Sequence, residues 1–178
     1  MNKPWEQEET PQVWEHLGYT CAIVRPTPNT SGHLCGYVGI PSHHPLHRVR
    51  YNDKSKYLTK TAQQCLKENP GKRSPLVVFM TILRMDDEYD WEPHTTMEAS
   101  FDIHGSVTYT EDNLLEVDPY GDMRLWWVGF DCGHANDYCP AREDWGFSSN
   151  YKDLAYVKAE TEKLAEYLRE IENDSLRG

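Results

Sequence analysis

Apolar and polar positions along this chain alternate with two periods, and the two periods predict different elements. The stretch YTCAIVRP, from Tyr19, is rich in β-forming residues and ends at Pro26, which predicts a strand. Pro26 to Gly32 (PTPNTSG) holds turn residues almost exclusively, and a second strand is predicted over His33 to Ile40. Together they predict a hairpin with a long loop. Between Ser55 and Lys67, the positions Tyr57, Leu58, Thr61, Ala62, Cys65 and Leu66 recur at helical spacing, and Asn69-Pro70-Gly71 stops that helix. The run PLVVFMTILR, Pro75 to Arg84, has the β-branched content of a buried strand, and DDEYDWEP after it reads as a solvated acidic connection. Further strands are predicted over Met97 to Ile103, Val107 to Thr110 and Leu125 to Phe130.

The clearest pattern is the last one. Leu154, Val157, Thr161, Leu164, Leu168 and Ile171 lie three or four apart, which makes one apolar stripe on a helix otherwise covered by Glu and Lys. Asn150 is a candidate cap for its start, with Asp153 near the positive end of the dipole. The stripe is too short for a stable coiled coil, so the helix is expected to pack on a sheet. No repeat or linker divides the chain. The expected fold is therefore α+β: a single domain over residues 1–178, with a mostly antiparallel sheet and a C-terminal amphipathic helix packed on it. Residues 1–16 read as a loosely attached acidic segment, with Trp5 and Trp14 as docking anchors.

Composition narrows the function classes. The 178 residues are 38 % hydrophobic and 26 % charged, which suits a chain that folds around a core rather than a disordered one. Six Trp and 11 Tyr add aromatic core area while keeping polar tips. With 18 basic and 29 acidic residues the net charge is -11, which argues against general nucleic-acid binding, since that depends on Lys and Arg at phosphates. The partners this leaves are a small polar molecule or a basic surface on another protein. No secretory signal and no apolar run of roughly 20 residues is visible. The five cysteines, Cys21, Cys35, Cys65, Cys132 and Cys139, form no CxxC pair and are odd in number. Reduced thiols in a cytoplasm, with no membrane association, are the expectation.

The densest polar cluster, Asp131 to Cys139 (DCGHANDYC), directly follows the apolar strand LWWVGF. A strand that delivers polar side chains at its end fixes their geometry, and the loop supplies their variety. Asp131, His134 and Asp137 form D-x-x-H-x-x-D, two carboxylates and an imidazole suited to a divalent metal or to a base with orienting partners. His104 joins that set as a further metal ligand. A thiol set, Cys132 and Cys139 with His134, would instead suit zinc with a fourth ligand from elsewhere. His104 is the natural supplier, because Gly105 beside it permits close approach, and His43, His44 and His94 are the other candidates. The bland alternative makes the aspartates loop and cap acceptors, His134 a satisfied, partly buried histidine, and the thiols core. A Cys132–His134 nucleophilic pair is disfavoured because residues two apart rarely face each other. Arg48 and Arg50, near His44 and His47, form a compact basic patch, more simply read as a solvated loop. Trp126 and Trp127 alternate across their strand, so one of them, Trp127 in the binding-site reading, is expected to face a groove as a stacking platform. Walker, GxGxxG and GxSxG patterns are absent, which removes support for nucleotide-hydrolysing, dinucleotide and serine-hydrolase chemistry.

Three segments, GYVGIPSHHPLH (Gly36 to His47), HGSVTY (His104 to Tyr109) and WWVGFDCGHANDYCP (Trp126 to Pro140), resemble a family of small proteins of tailed bacteriophages and prophages when taken with YKDLAYVKAETEKLAEYL, Tyr151 to Leu168. The WWxGFDCxHxxD string is the specific part. The histidine motif of related sequences is His-Gly-Gly, whereas Ser106 stands at the second glycine here. The resemblance implies an accessory protein acting in a bacterial host cytoplasm, with His44, His104, Asp131, Cys132, His134 and Asp137 in its motif set. It implies no mechanism.

The leading expectation is binding of a small polar ligand, such as a nucleotide or nucleotide-like signal, in counter-defence. The binding residues would be His44, His104, Trp127, Asp131, His134 and Asp137, with or without a divalent metal such as zinc on Asp131, His134, Asp137 and His104. One alternative is a metal-dependent hydrolase using the same cluster. Another is an acidic protein that inhibits a host nucleic-acid enzyme by charge mimicry, through DDEYDWE and EDNLLEVD.

Overall fold

The computed structural model describes residues 4–26, 32–68, 95–141 and 150–177, with side chains left out for 65–68. Five strands form one antiparallel sheet: β1 (Gln12–His16), β2 (Tyr19–Val24), β3 (Cys35–Ile40), β4 (Tyr109–Glu111) and β5 (Trp126–Asp131). Their order across the sheet is β1-β2-β3-β5-β4. The helices are α1 (Thr59–Glu68), a single turn α2 (Met97–Ser100) and the long α3 (Leu154–Ser175). This is the α+β domain that the periodicity predicts, with α3 packed on β2 and β3.

The sheet is covered on both faces. Cys21, Ile23, Val38, Ile40, Trp126, Val128 and Phe130 meet Val157, Leu164, Leu168 and Ile171 of α3 in the larger core. The residues between them along the strands, Ala22, Val24, Tyr37 and Trp127, turn to the opposite face and pack with Leu114. This period-two division explains why β2, β3 and β5 read as near-continuous apolar runs. Such a strand has no polar face to show to water.

Four details differ from the periodicity. The N-terminal segment is not loosely attached from Pro4 onward. β1 pairs along its whole length with β2, and Trp5 packs on Tyr138 and Tyr151 at 4.9 and 5.2 Å. The Glu8 carboxylate accepts from Arg25 (2.6 Å), from the Tyr151 hydroxyl and from the Leu154 amide (3.1 Å), so it ties this segment to the start of α3. The stretch from Met97 opens as a helical turn rather than a strand, because burying Met97, Ser100 and Phe101 follows a spacing of three and four. The Ser100 hydroxyl closes that turn onto the Thr96 carbonyl at 2.6 Å. Asp153, not Asn150, caps α3, since its Oδ1 accepts from the Tyr156 amide at 2.9 Å. Trp127 is no solvent-side platform, since it lies fully buried in the second core. The strand predicted over 75–84, the acidic connection after it and His94 lie outside the described residues.

Candidate metal centre

β5 is an interior strand of the sheet, between β3 and β4, and ends at Asp131. Beyond it the Cys132 amide donates to the Leu34 carbonyl (3.0 Å), which keeps the chain beside β3 for one more residue before it turns. The turn closes on itself: the Asp137 amide donates to the His134 carbonyl at 2.9 Å, and the His134 amide donates to Asp137 Oδ2 at 3.0 Å. This reciprocal pair holds the His134 and Asp137 side chains together. Asn150 fastens the turn to the approach of α3, where its carbonyl accepts from the Tyr138 amide at 3.2 Å.

His104 arrives from the loop between α2 and β4. The Glu160 carboxylate, on α3, accepts its backbone N–H at 2.7 Å. Two positive backbone angles follow, φ +64° at Gly105 and +82° at Ser106, and they swing the loop toward β5. At Gly105 the His134 ring occupies the place a β-carbon would take, so a side chain there would collide with it. Glycine serves here both the backbone angle and the close approach. What approaches is the second histidine of the cluster.

The two imidazoles converge on one oxygen. Asp137 Oδ2 lies 2.8 Å from His104 Nε2 and 3.3 Å from His134 Nδ1. One ligand atom from each of the three residues lies within 4.8 Å of the other two. Lys152 stands at the other carboxylate oxygen, with Nζ 4.0 Å from Oδ1. Exposure is graded across the cluster: 3 % for the Asp137 side chain, 14 % for His104 and 37 % for His134. The carboxylate is thus buried and the His134 ring borders solvent.

Tyr156 completes the arrangement, with its hydroxyl 3.0 Å from His104 Nδ1. In a neutral ring that donates Nε2–H to Asp137, Nδ1 accepts from that hydroxyl. Were Nε2 to bind a metal, the ring proton would sit on Nδ1 and donate a hydrogen bond to the phenol oxygen. Metal-ligating histidines commonly have a partner of this kind on the far nitrogen. Burial, then the nearby Glu160 and Asp137 carboxylates, push the Tyr156 phenol up to about 12, so it stays protonated near neutrality.

Two histidines and one carboxylate are a donor set able to hold a divalent ion while leaving coordination positions for water or a ligand. Around an ion with bonds of about 2.1 Å, neighbouring ligands stand about 3.0 Å apart in an octahedron and about 3.4 Å apart in a tetrahedron, so the pairs at 2.8 and 3.3 Å need to open by only a few tenths of an ångström to admit one.

Several candidates take other roles. Asp131 is next to the centre but does not share its focus, since Oδ1 accepts from the Gly133 amide and Oδ2 from the Thr108 hydroxyl, both at 2.9 Å. Burial works to raise its carboxyl, but those two donors and the nearby His134 and His33 rings outweigh it and hold it below the ordinary range. His44 is not near the centre. It is buried at the opposite part of α3, with Nε2 3.0 Å from the Leu168 carbonyl and Nδ1 accepting from the Leu46 amide at 3.1 Å. Leu168 is twelve residues beyond Tyr156, about 18 Å along the helix axis. Burial pulls the His44 imidazole below its usual range. His43 pairs with Glu172 at 2.9 Å, in that same region.

The thiol set does not assemble. Cys132 and Cys139 are buried and join no cluster of three ligands among the described residues, and burial pushes the Cys132 thiol far up. Arg48 and Arg50 are exposed. Of the acidic runs, 86–92 lies outside the described residues. In 111–118, Glu111, Asp112 and Glu116 are exposed, while Asp118 turns inward and accepts from the Asp122 and Met123 amides.

Sequence reading missed Lys152, Tyr156 and Glu160. The available signal was a second stripe on α3: Tyr156, Glu160 and Lys163 are spaced by four and three along the border of the apolar face. Lys163 reaches Asp102 at 3.3 Å, so this polar stripe runs along the loop that carries His104. No described helix is long and apolar enough to cross a membrane. No protein-family model matches the chain, and comparison with curated proteins and with solved structures finds no match either.

Proposed function

We propose that this protein captures a small polar ligand at a mononuclear divalent-metal centre held by His104, His134 and Asp137. One observation carries the reading: both imidazoles converge on a single buried carboxylate oxygen, at 2.8 and 3.3 Å. Taking a carboxylate out of water is costly unless positive charge or donors compensate it. The two rings, the His134 amide and the Lys152 ammonium at 4.0 Å compensate it in part, and a divalent ion on the shared oxygen would add the remaining positive charge. The exposed edge of His134 gives a ligand its way in. The resemblance to phage and prophage proteins makes counter-defence in a bacterial host the setting for such capture.

Elemental analysis of the purified protein tests the reading. Near-stoichiometric divalent metal is expected, and His134→Ala should lose it. A metal-free protein that takes up neither added zinc nor added manganese, with stability unchanged by either, rules the centre out. A panel of linear and cyclic nucleotides then separates capture from hydrolysis. A binder releases its ligand intact on denaturation, whereas a hydrolase releases product.

A further inference from the structure

We infer that Lys152 is the anion-recognition element of this centre, and that the captured ligand carries a phosphate group. The inference rests on the metal reading above and adds the ligand's chemistry to it. Lys152 lies two residues before α3, and its side chain is only 21 % exposed. Its ammonium is held over the Tyr156 ring, 4.9 Å from the centroid, and faces Asp137 Oδ1 at 4.0 Å. The second distance exceeds hydrogen-bonding range, so the Asp137 contact is one of charge alone. An ammonium carries three N–H donors, and no hydrogen bond to them occurs among the described residues.

The position defines what those donors can meet. Asp137 presents Oδ2 to both imidazoles and Oδ1 to Lys152, so the ammonium and the metal position flank one carboxylate. A ligand with several oxygens on one central atom can place one on the metal, at about 2.1 Å. It can place another on the ammonium, at about 2.8 Å. A tetrahedral phosphate suits this better than a neutral polar group, because both anchors are cationic. The protein as a whole carries a net charge of -11, so an anion is otherwise repelled and a local cation must supply its attraction. Tyr156 fixes that cation: its ring lies under the ammonium while its hydroxyl holds His104. Anion site and metal site are thus built on one side chain.

The test is calorimetric titration of the full-length, zinc-loaded protein with inorganic phosphate and, separately, adenosine monophosphate. Lys152→Gln should keep its zinc content by elemental analysis and a cooperative melting transition, yet bind phosphate at least tenfold more weakly. Lys152→Arg should restore most of the affinity. Tighter binding of the monophosphate would identify a phosphate ester as the ligand, and equal binding would identify the phosphate group alone. A zinc-loaded protein that binds neither titrant, or whose Lys152→Gln variant binds as tightly as the parent, overturns this inference and leaves the metal centre standing. A protein that takes up no zinc overturns both.

Discussion

Gly105→Ala separates the backbone of the site from its chemistry. At φ +64° an alanine adopts the left-handed region, which costs about 1–2 kcal/mol. Its β-carbon also meets the His134 ring. In a sealed core such a collision would add a further 1–3 kcal/mol or so. Here the His134 side chain is 37 % exposed, and its contact to Asp137 is the longer of the two at 3.3 Å, so the ring can swing outward instead. The stability loss should therefore stay near the backbone cost, about 1–2 kcal/mol, or roughly 2–8 °C in Tm for a domain of this size. Zinc affinity should fall much further in relative terms, by about a hundredfold or more, because a direct ligand is displaced and even a lost outer-shell partner costs about ten- to a hundredfold. Gly121→Ala is the control: it has φ +68° and no atom within 4 Å of the added carbon. It should show a similar melting shift with unchanged zinc binding. Differential scanning calorimetry and zinc titration of both variants read the two effects. A Gly105→Ala protein that binds zinc as tightly as Gly121→Ala would refute the placement of His134.

Other predictions follow from the same geometry. Ser106→Gly should stabilise by about 0.5 kcal/mol in urea unfolding. It relieves about 1–2 kcal/mol of strain at φ +82°, against about 0.4–1 kcal/mol of added unfolded-chain entropy. Tyr19→Phe should cost about 1–3 kcal/mol, because it removes the 2.6 Å hydrogen bond to the buried Glu172 carboxylate. Burial tends to raise Glu172, but Tyr19, Arg169 and His43 outweigh it and hold it below its ordinary value. Its stabilisation is therefore present above the unfolded glutamate value, about 4.3, and is lost as pH falls through the lower folded value. Acid unfolding of Glu172→Gln should show a shallower slope below about pH 4, and an unchanged slope would contradict that assignment. Leu168→Ala should cost about 2–5 kcal/mol, because its fully buried side chain joins α3 to the sheet.

How far the sequence revealed this molecule depended on burial. β2, β3, β5 and α3 were legible because each carries its core residues at a regular period, and the sheet buries both faces of its central strands. β1 was not, because QVWEH sits at the sheet edge with Val13 half exposed, and its signal is the two-residue Leu17–Gly18 turn with φ +51° and +84° rather than an apolar run. The α2 turn was hidden because Met97, Ala99, Phe101 and Ile103 also fit a strand's alternation. Within the site, D-x-x-H-x-x-D correctly joined His134 to Asp137, since a three-residue spacing closes a local turn. Asp131 fell outside because its carboxylate was satisfied locally, by Gly133 two residues on and by Thr108 across the strands. His104 was found through its glycine neighbour. Lys152, Tyr156 and Glu160 were not, because a pattern along one helix does not show which loop will lie against it.

The central claim is that two imidazoles and one carboxylate hold a metal here, with no thiol. X-ray absorption at the zinc edge of the zinc-loaded protein tests it most directly. The account predicts nitrogen and oxygen scatterers at about 2.0–2.2 Å, with the imidazole signature of two histidines and no sulfur at about 2.3 Å. A sulfur shell, or a spectrum with one histidine or none, would contradict it.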